Sequence, residues 1–295
     1  MNASKKINFR QKRELGDIIN DTFSFLRNHA KAMLTVLAKT ATIPFLLAVV
    51  ATGYYTQVSS KIFNPGGYSP YDIGDTGTIF IAMLFLFITM ILFYAVLFST
   101  VLHYIKAYIR DENAIDVDEI KNQVSENFMK FLGLGILSSL MVGFGFMLCF
   151  LPGIYFYVPL SLVFAIMVFE GGSTTDVISK SFELIKGQWW VTFGTLLVVG
   201  VLVSLIGLIF SVPAMIYTFS KGFVAASESS YLDSADSIDW IYVGLNTLSS
   251  AAQYILYTIS AVASAFIYFN LHERKYNTGA LEEINTIGKD HHLEE

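Results

Sequence analysis

The chain has almost no cysteine: Cys149 is the only one in 295 residues. A single cysteine excludes an internal disulfide and a zinc site built from cysteines. It lies in an apolar run and reads as a small buried hydrophobe. Charge is also scarce. Charged residues make up 15% of the chain, against roughly 25% in a soluble domain. No block of Lys and Arg with interleaved aromatics is present, so nothing points to nucleic acid. Histidine is thin and scattered, at His29, His103, His272, His291 and His292. No HExxH pair or histidine box is found, and no Walker A loop, GxGxxG or GxSxG. No catalytic, metal-binding or cofactor-binding residue is assigned.

What the chain does have is apolar length. It is 54% hydrophobic, with a mean hydropathy of +0.55. A crossing helix needs roughly 20 mostly apolar residues. Six runs qualify, at about 32–55, 79–105, 131–151, 154–170, 190–217 and 240–271. The fourth is short and contains Pro159, so a kink or a thinned crossing is expected there. The first run starts near Ala32, later than a secretory leader would place it, so it reads as a retained span.

Basic residues set the orientation. Sixteen fall in the segments before span 1, between spans 2 and 3, between spans 4 and 5, and after span 6. Only Lys61 and Lys221 fall on the other side, and Lys39 lies within span 1. Both termini are therefore expected in the cytoplasm. Trp189 and Trp190 mark the inner end of span 5, and Trp240 the outer end of span 6. Tyr54, Tyr55, Tyr155 and Tyr157 mark the outer boundary. Glu170 and His103 are expected at inner span ends, solvated or interfacial.

Two segments match without a gap: "DIINDTFSFLRNHAK" at 17–31 and "DVISKSFELIKGQWW" at 176–190. Ile19, Phe23, Leu26 and Ala30 recur as Ile178, Phe182, Ile185 and Trp189, the spacing of one apolar helix face. Thr174 or Thr175 could cap the second helix. A weaker third copy, with Ile120, Val124, Phe128 and Phe131, precedes span 3. Each helix reads as an interfacial elbow before a span, or as a docking face for a partner protein.

Chemistry inside the spans is limited. Lys39 either snorkels to the surface or is a buried functional charge. In span 6, Asn246, Ser250, Gln253, Tyr257, Ser260 and Ser264 step by three and four residues and form one polar stripe. It reads as interhelical hydrogen bonding or as the wall of a polar path. Gly135, Ser139 and Gly143, and Gly200, Ser204, Gly207 and Ser211, have small-residue spacing that suits close helix packing. Glu228, Asp233, Asp236 and Asp239 form an acidic outer loop, either solvated or a weak cation site.

The unit "DVISKSFELIKGQWWVTFGTLLVVGVLVSLIGLIFSVP" resembles the membrane domain of glycerophosphoryl diester phosphodiesterases and the related YciC-like membrane proteins. In that family an "A-x-x-x-S-x-x-L-x-K-G-x-x-W" helix leads into a Gly-rich span ending near proline. Ser181, Leu184, Lys186, Gly187, Trp190 and Pro213 carry the likeness, with Pro152, Gly153 and Pro159 ahead of them. The resemblance implies a bacterial inner-membrane protein. The phosphodiesterase chemistry of that family belongs to a separate soluble domain, for which this chain has no room, so no catalytic residue carries over.

The expected architecture is an all-α polytopic membrane bundle of about six transmembrane helices with amphipathic helices before spans 1 and 5, and a third before span 3. It is read as one domain: an N-terminal segment 1–31, a bundle 32–271 and a polar tail 272–295. Its partners are the lipid bilayer and other proteins. The expected role is a non-enzymatic scaffold or complex subunit. The alternative is a transporter or lipid-handling protein that uses the span 6 stripe.

Overall fold

The computed structural model describes residues 7–62, 73–112, 114–228 and 239–279. Among them the regular structure is entirely helical: α1 (Leu15–Thr40), α2 (Thr42–Ile62), α3 (Ile73–Arg110), α4 (Val117–Leu148), α5 (Phe150–Leu160), α6 (Val163–Phe169), α7 (Thr174–Ile185), α8 (Trp189–Glu228) and α9 (Trp240–Tyr276). Six stretches are long and apolar enough to cross a membrane. Five lie at Gly77–Arg110, Val117–Leu148, Phe150–Phe169, Trp189–Phe223 and Trp240–Tyr276, and the sixth is the bent pair α1 with α2. The all-α, membrane-type bundle is as expected.

The helix boundaries follow from local chemistry. The Asp116 carboxylate accepts the Asp118 N–H at 2.9 Å and caps α4. Asp239 accepts the Tyr242 N–H at 3.1 Å at the start of α9. Helix α7 is capped by Ser173, not by either threonine after it. Ser173 and Asp176 form a reciprocal capping box, which satisfies backbone donors that no helical turn reaches. Hydrogen bonds from Ser173 hold the Asp176 carboxyl below the usual carboxylate range.

The entrance to span 1 differs from expectation. The segment 17–31 is not a separate elbow, because α1 continues unbroken to Thr40. The break comes at Ala41, where α1 and α2 bend by 78°. Pro44 explains it. Proline has no N–H for the Thr40 carbonyl, and its ring crowds that same carbonyl one turn back.

By compactness the chain divides into two units. Unit 1 comprises Met1–Thr40, Ala95–Val201 and Thr258–Glu295, and unit 2 comprises Ala41–Tyr94 and Leu202–Tyr257. In unit 1, α4 pairs with α5, α7 packs on α5 and α6, and α1 packs on α4. Residues 261–271 of α9 are buried on every side, as expected of a central helix with no polar face. Phe131 stacks on Phe164 at 5.5 Å, with His103 beside it. His103 is therefore not solvated: it is 5% exposed, with Nδ1 2.7 Å from the Ser99 carbonyl oxygen. In unit 2, Phe93 lies between Phe45 and Tyr254, and Ser249 Oγ donates to the Phe210 carbonyl at 2.8 Å.

The two matched segments bury the same three positions outside the expected stripe, and of the stripe itself only Ile185 is buried. Ile18, Thr22 and Phe25 are buried in the first, and Val177, Ser181 and Leu184 in the second. The buried face is thus rotated by one residue from the 19/23/26/30 stripe. A hydroxyl can sit in that core because each bonds its own helix, Thr22 to the Ile18 carbonyl and Ser181 to the Ile178 carbonyl, both at 2.7 Å. Phe23 and Phe182 move to the flank.

Tyr155 was expected at the outer boundary and Trp189 at the inner one. The structure stacks them, with ring centroids 6.1 Å apart. Cys149 is exposed, not buried. Close helix approach occurs at one expected glycine, Gly207, where an added Cβ would run into the Gln253 side chain, and otherwise at unexpected ones. Gly143 and Gly200 face open space, whereas a Cβ on Gly153 would run into the Phe146 ring and one on Gly145 would meet the Gly153 Cα at 2.9 Å. Gly153→Ala is therefore expected to cost about 1–3 kcal/mol by overpacking. Gly143→Ala should be neutral or slightly stabilising. Thermal unfolding of the two variants in detergent compares these effects directly.

Candidate functional site

The most elaborate side-chain chemistry lies in unit 1, where residues 7–13 run as a non-helical strap. Phe9 is buried flat against Phe266 at 4.4 Å and edge-on to Phe25, Tyr108 and Phe269. Four residues later, Arg13 is 2% exposed. A guanidinium has five donors and needs partners when buried. Here Nε donates to Asp21 Oδ2 at 2.8 Å, Nη1 donates to the Phe9 carbonyl at 2.8 Å, and Nη2 donates to the Asn8 carbonyl. The guanidinium also lies over the Phe266 ring, 4.8 Å from its centroid.

Burial pulls the Arg13 guanidinium down from its ordinary pKa, and Asp21 opposes the shift. The group remains charged, because arginine starts above pH 12. The backbone is tied as well. Arg13 N–H donates to Asn270 Oδ1 at 2.8 Å, and Arg274 Nη2 donates to the Arg13 carbonyl at 2.8 Å. Ile7 N–H reaches the Tyr108 hydroxyl at 3.0 Å. The strap is thus bound to α1, α3 and α9 by both its aromatic ring and its charge.

Beside the strap lies a cavity of about 1080 Å³. Phe9, Phe169, Phe269 and Ile120 supply apolar wall, while Arg10, Lys106, Arg110, Glu119, Glu170 and Tyr268 supply polar groups. The acids on this wall are already engaged. Glu119 forms a two-pronged pair with Arg110, both contacts at 2.7 Å. Glu170 accepts the Tyr268 hydroxyl at 3.0 Å and the Lys180 ammonium at 2.8 Å. The bond to Glu170 holds Lys180 above its ordinary pKa. Lys106 is exposed into the cavity, and Nζ donates to the Val168 carbonyl at 2.7 Å. Gly171 and Gly172 adopt positive φ of 73° and 115°. Only glycine takes that path without strain, and it lets α6 end at Glu170 and α7 restart close by.

The residues expected from sequence lie elsewhere. Asn246, Ser250, Gln253 and Tyr257 are in unit 2, and Ser260 and Ser264 in unit 1. Asn246 Nδ2 donates to its own helix at Tyr242 O, and Ser264 Oγ to Ala261 O. Gln253 rests against Gly207, and the Tyr257 ring lies 5.0 Å from Tyr94. Ser250 and Ser260 are half-buried. Lys39 is exposed in the last turn of α1, where the helix dipole favours a cation. Asp239 bonds Tyr217 and Lys221. Asp233, Asp236, His291 and His292 lie outside the described residues, as does the side chain of Glu228.

Sequence reasoning passed over Phe9, Arg13, Lys106 and Tyr254. The Tyr254 hydroxyl, buried in unit 2, hydrogen-bonds Thr52. One signal was available for the strap: a cluster of Arg and Lys around a lone Phe ahead of the first helix. Among the described residues no group of three or more His, Cys, Asp or Glu is placed to hold a metal ion. No protein-family model, no curated protein and no solved structure matches the chain.

Truncation of Arg13 leaves Asp21 and two carbonyls without their donor. Arg13→Ala is expected to destabilise unit 1 by about 3 kcal/mol and to free the strap. Limited proteolysis should then cut near residues 7–13 before any helix is lost, and Arg13→Lys should only partly restore protection, because an ammonium cannot reproduce the fork.

Proposed function

We propose that this is a multi-pass membrane protein that holds an anionic amphiphile, a phosphate-type headgroup with an apolar body, in the cavity of unit 1. The reading is lipid handling. The observation that supports it is the state of charge on the wall. Glu119 and Glu170 are already paired with Arg110 and Lys180, while Lys106 is exposed into the cavity beside aromatic surface. An anion would be attracted there, and an apolar tail has Phe169 and Phe269 to lie against. The cavity sits where α3 ends and α4 begins, on the basic side of the chain. The sixteen-to-two asymmetry in Lys and Arg supports placing that side, and both termini, in the cytoplasm. The likeness to the glycerophosphodiesterase membrane domain supports a bacterial inner membrane. The matched burial of Ile18, Thr22 and Phe25 with Val177, Ser181 and Leu184 supports a duplicated amphipathic unit.

The test is lipid content after purification in mild detergent, read by mass spectrometry. Anionic lipid should co-purify with the native chain, and Lys106→Ala should reduce its retention about tenfold, the worth of one charge-assisted contact. If inorganic phosphate displaces the lipid, the headgroup is what the site recognises. Equal lipid content in the native chain and Lys106→Ala, with unfolding temperatures unchanged, would overturn the reading.

A scaffold or complex subunit is the second reading. It is supported by the exposed polar flanks of α1 and α7, where Arg27, Lys31 and Lys186 face outward. Cross-linking from those positions to a partner at native expression would favour it.

A further inference from the structure

We propose that α4 and α5 form a re-entrant hairpin. It enters the hydrocarbon from the face that carries α7, turns inside the apolar layer at Cys149, and leaves by the same face. Its occupants are the acyl chains of that one leaflet.

The turn carries no polar chemistry. From Leu140 to Leu160 there is no charged residue, amide, Ser or Thr, and the only hydroxyls belong to Tyr155 and Tyr157. A turn that emerges into water has polar residues to solvate it. This one presents Met147, 85% exposed, and Leu151, 73% exposed, with Leu148 and Phe150 beside them.

The turn is also built to survive without water. Only Cys149 separates the two helices. Its N–H donates to the Gly145 carbonyl at 3.1 Å, and its carbonyl accepts the Gly153 N–H at 3.5 Å. Gly145 lies directly against Gly153, so the arms close with almost no loop. Irregular backbone in lipid is tolerated only when its polar groups are satisfied in this way.

Depth decides between crossing and returning. Tyr155 stacks on Trp189, and Trp189 Nε1 donates to the Tyr155 carbonyl at 3.5 Å. Phe182 packs on Tyr155 and Phe156. These partners belong to the α7–α8 elbow, which carries Lys180, Glu183 and Lys186. Glu183 is paired at 2.6 Å with Lys275, in the last turn of α9. Tyr155 is therefore held at a charged boundary. From Tyr155 to Phe150 a helix rises only about 7.5 Å, against roughly 30 Å of hydrocarbon. The short arm ends within the near leaflet.

The count of basic residues cannot distinguish the two topologies. A hairpin that crosses twice and one that does not cross both return the chain to the same face. The sequence reads as two spans for that reason.

Cys149, the only cysteine in the chain, is a native reporter at the tip. The full chain, spin-labelled at Cys149 in detergent and reconstituted into phospholipid vesicles, should be accessible to oxygen and not to a water-soluble nickel chelate. Its depth should fall in the leaflet on the α7 side. Single cysteines at Leu148, Phe150 and Leu151, each with Cys149→Ser, should show no labelling by a membrane-impermeant maleimide from either face. Lys186→Cys should label from the α7 face and Ser220→Cys from the opposite face, as controls. Labelling of any tip position from either face, nickel accessibility at Cys149, or a depth in the opposite leaflet would each overturn the hairpin. Cys149 needs no substitution, so a folding failure of the scanning variants does not remove the test.

Discussion

Hydrocarbon offers no hydrogen bonds, and every backbone amide placed in it must find its partner within the protein. That constraint explains why the apolar stretches of the described chain are helical. It also explains the form of each interruption. At Ala41 the helix breaks where Pro44 has withdrawn a donor, and the next turn starts at once, with Phe45 N–H reaching the Ala41 carbonyl at 2.9 Å. At Cys149 one extended residue suffices. At Ser161 and Leu162, just past Pro159, the amides fall back on the Tyr157 and Pro159 carbonyls. Breaks are permitted where the donors and acceptors can be recovered locally.

Unit 1 concentrates the polar chemistry that the rest of the chain avoids. A buried arginine is costly unless its donors are consumed, and Arg13 spends them on Asp21 and on the backbone of its own strap. That arrangement turns a destabilising charge into a clamp. The strap then forms one wall of the cavity, with the Arg110–Glu119 pair and Glu170, which Lys180 holds from outside the lining, on the other walls. Both pairs neutralise acids that would repel an anion. Lys106 projects into the cavity from a helix whose preceding turns are buried, so its position is fixed by packing.

The sequence made some of this legible. Apolar runs of span length identified every crossing-length helix, because hydropathy reports the solvent directly. The matched segments 17–31 and 176–190 both fall on helices, the first on α1 and the second on α7 with the start of α8, but the expected stripe lay one residue from most of the buried positions. The stripe was drawn through apolar residues and so left out Thr22 and Ser181, whose hydroxyls bond their own helices and can be buried. Pro44 was present and unread, and with it the Ala41 break. The span 6 stripe is periodic in sequence, but periodicity does not say whether a hydroxyl faces a cavity or its own carbonyl, as Ser264 does. The strap showed only its cluster of Arg and Lys around Phe9, and not its partners. Phe9 and Arg13 meet partners more than 250 residues away in sequence, and no local pattern encodes that pairing. Lys106 looked like any basic residue at a helix end.

The clamp at Arg13 has a temporal side. Arg13 N–H waits for Asn270, which is 257 residues further along the chain. At ribosomal rates of 5–20 residues per second, that interval is on the order of 10–50 s. Throughout it, Phe9 lacks the Phe266 ring on which it stacks, and the Arg13 carbonyl lacks Arg274. Residues 9–13 are thus made long before the α9 residues that hold them. Insertion of the spans must proceed with this end open, and arrival of the final helix closes it.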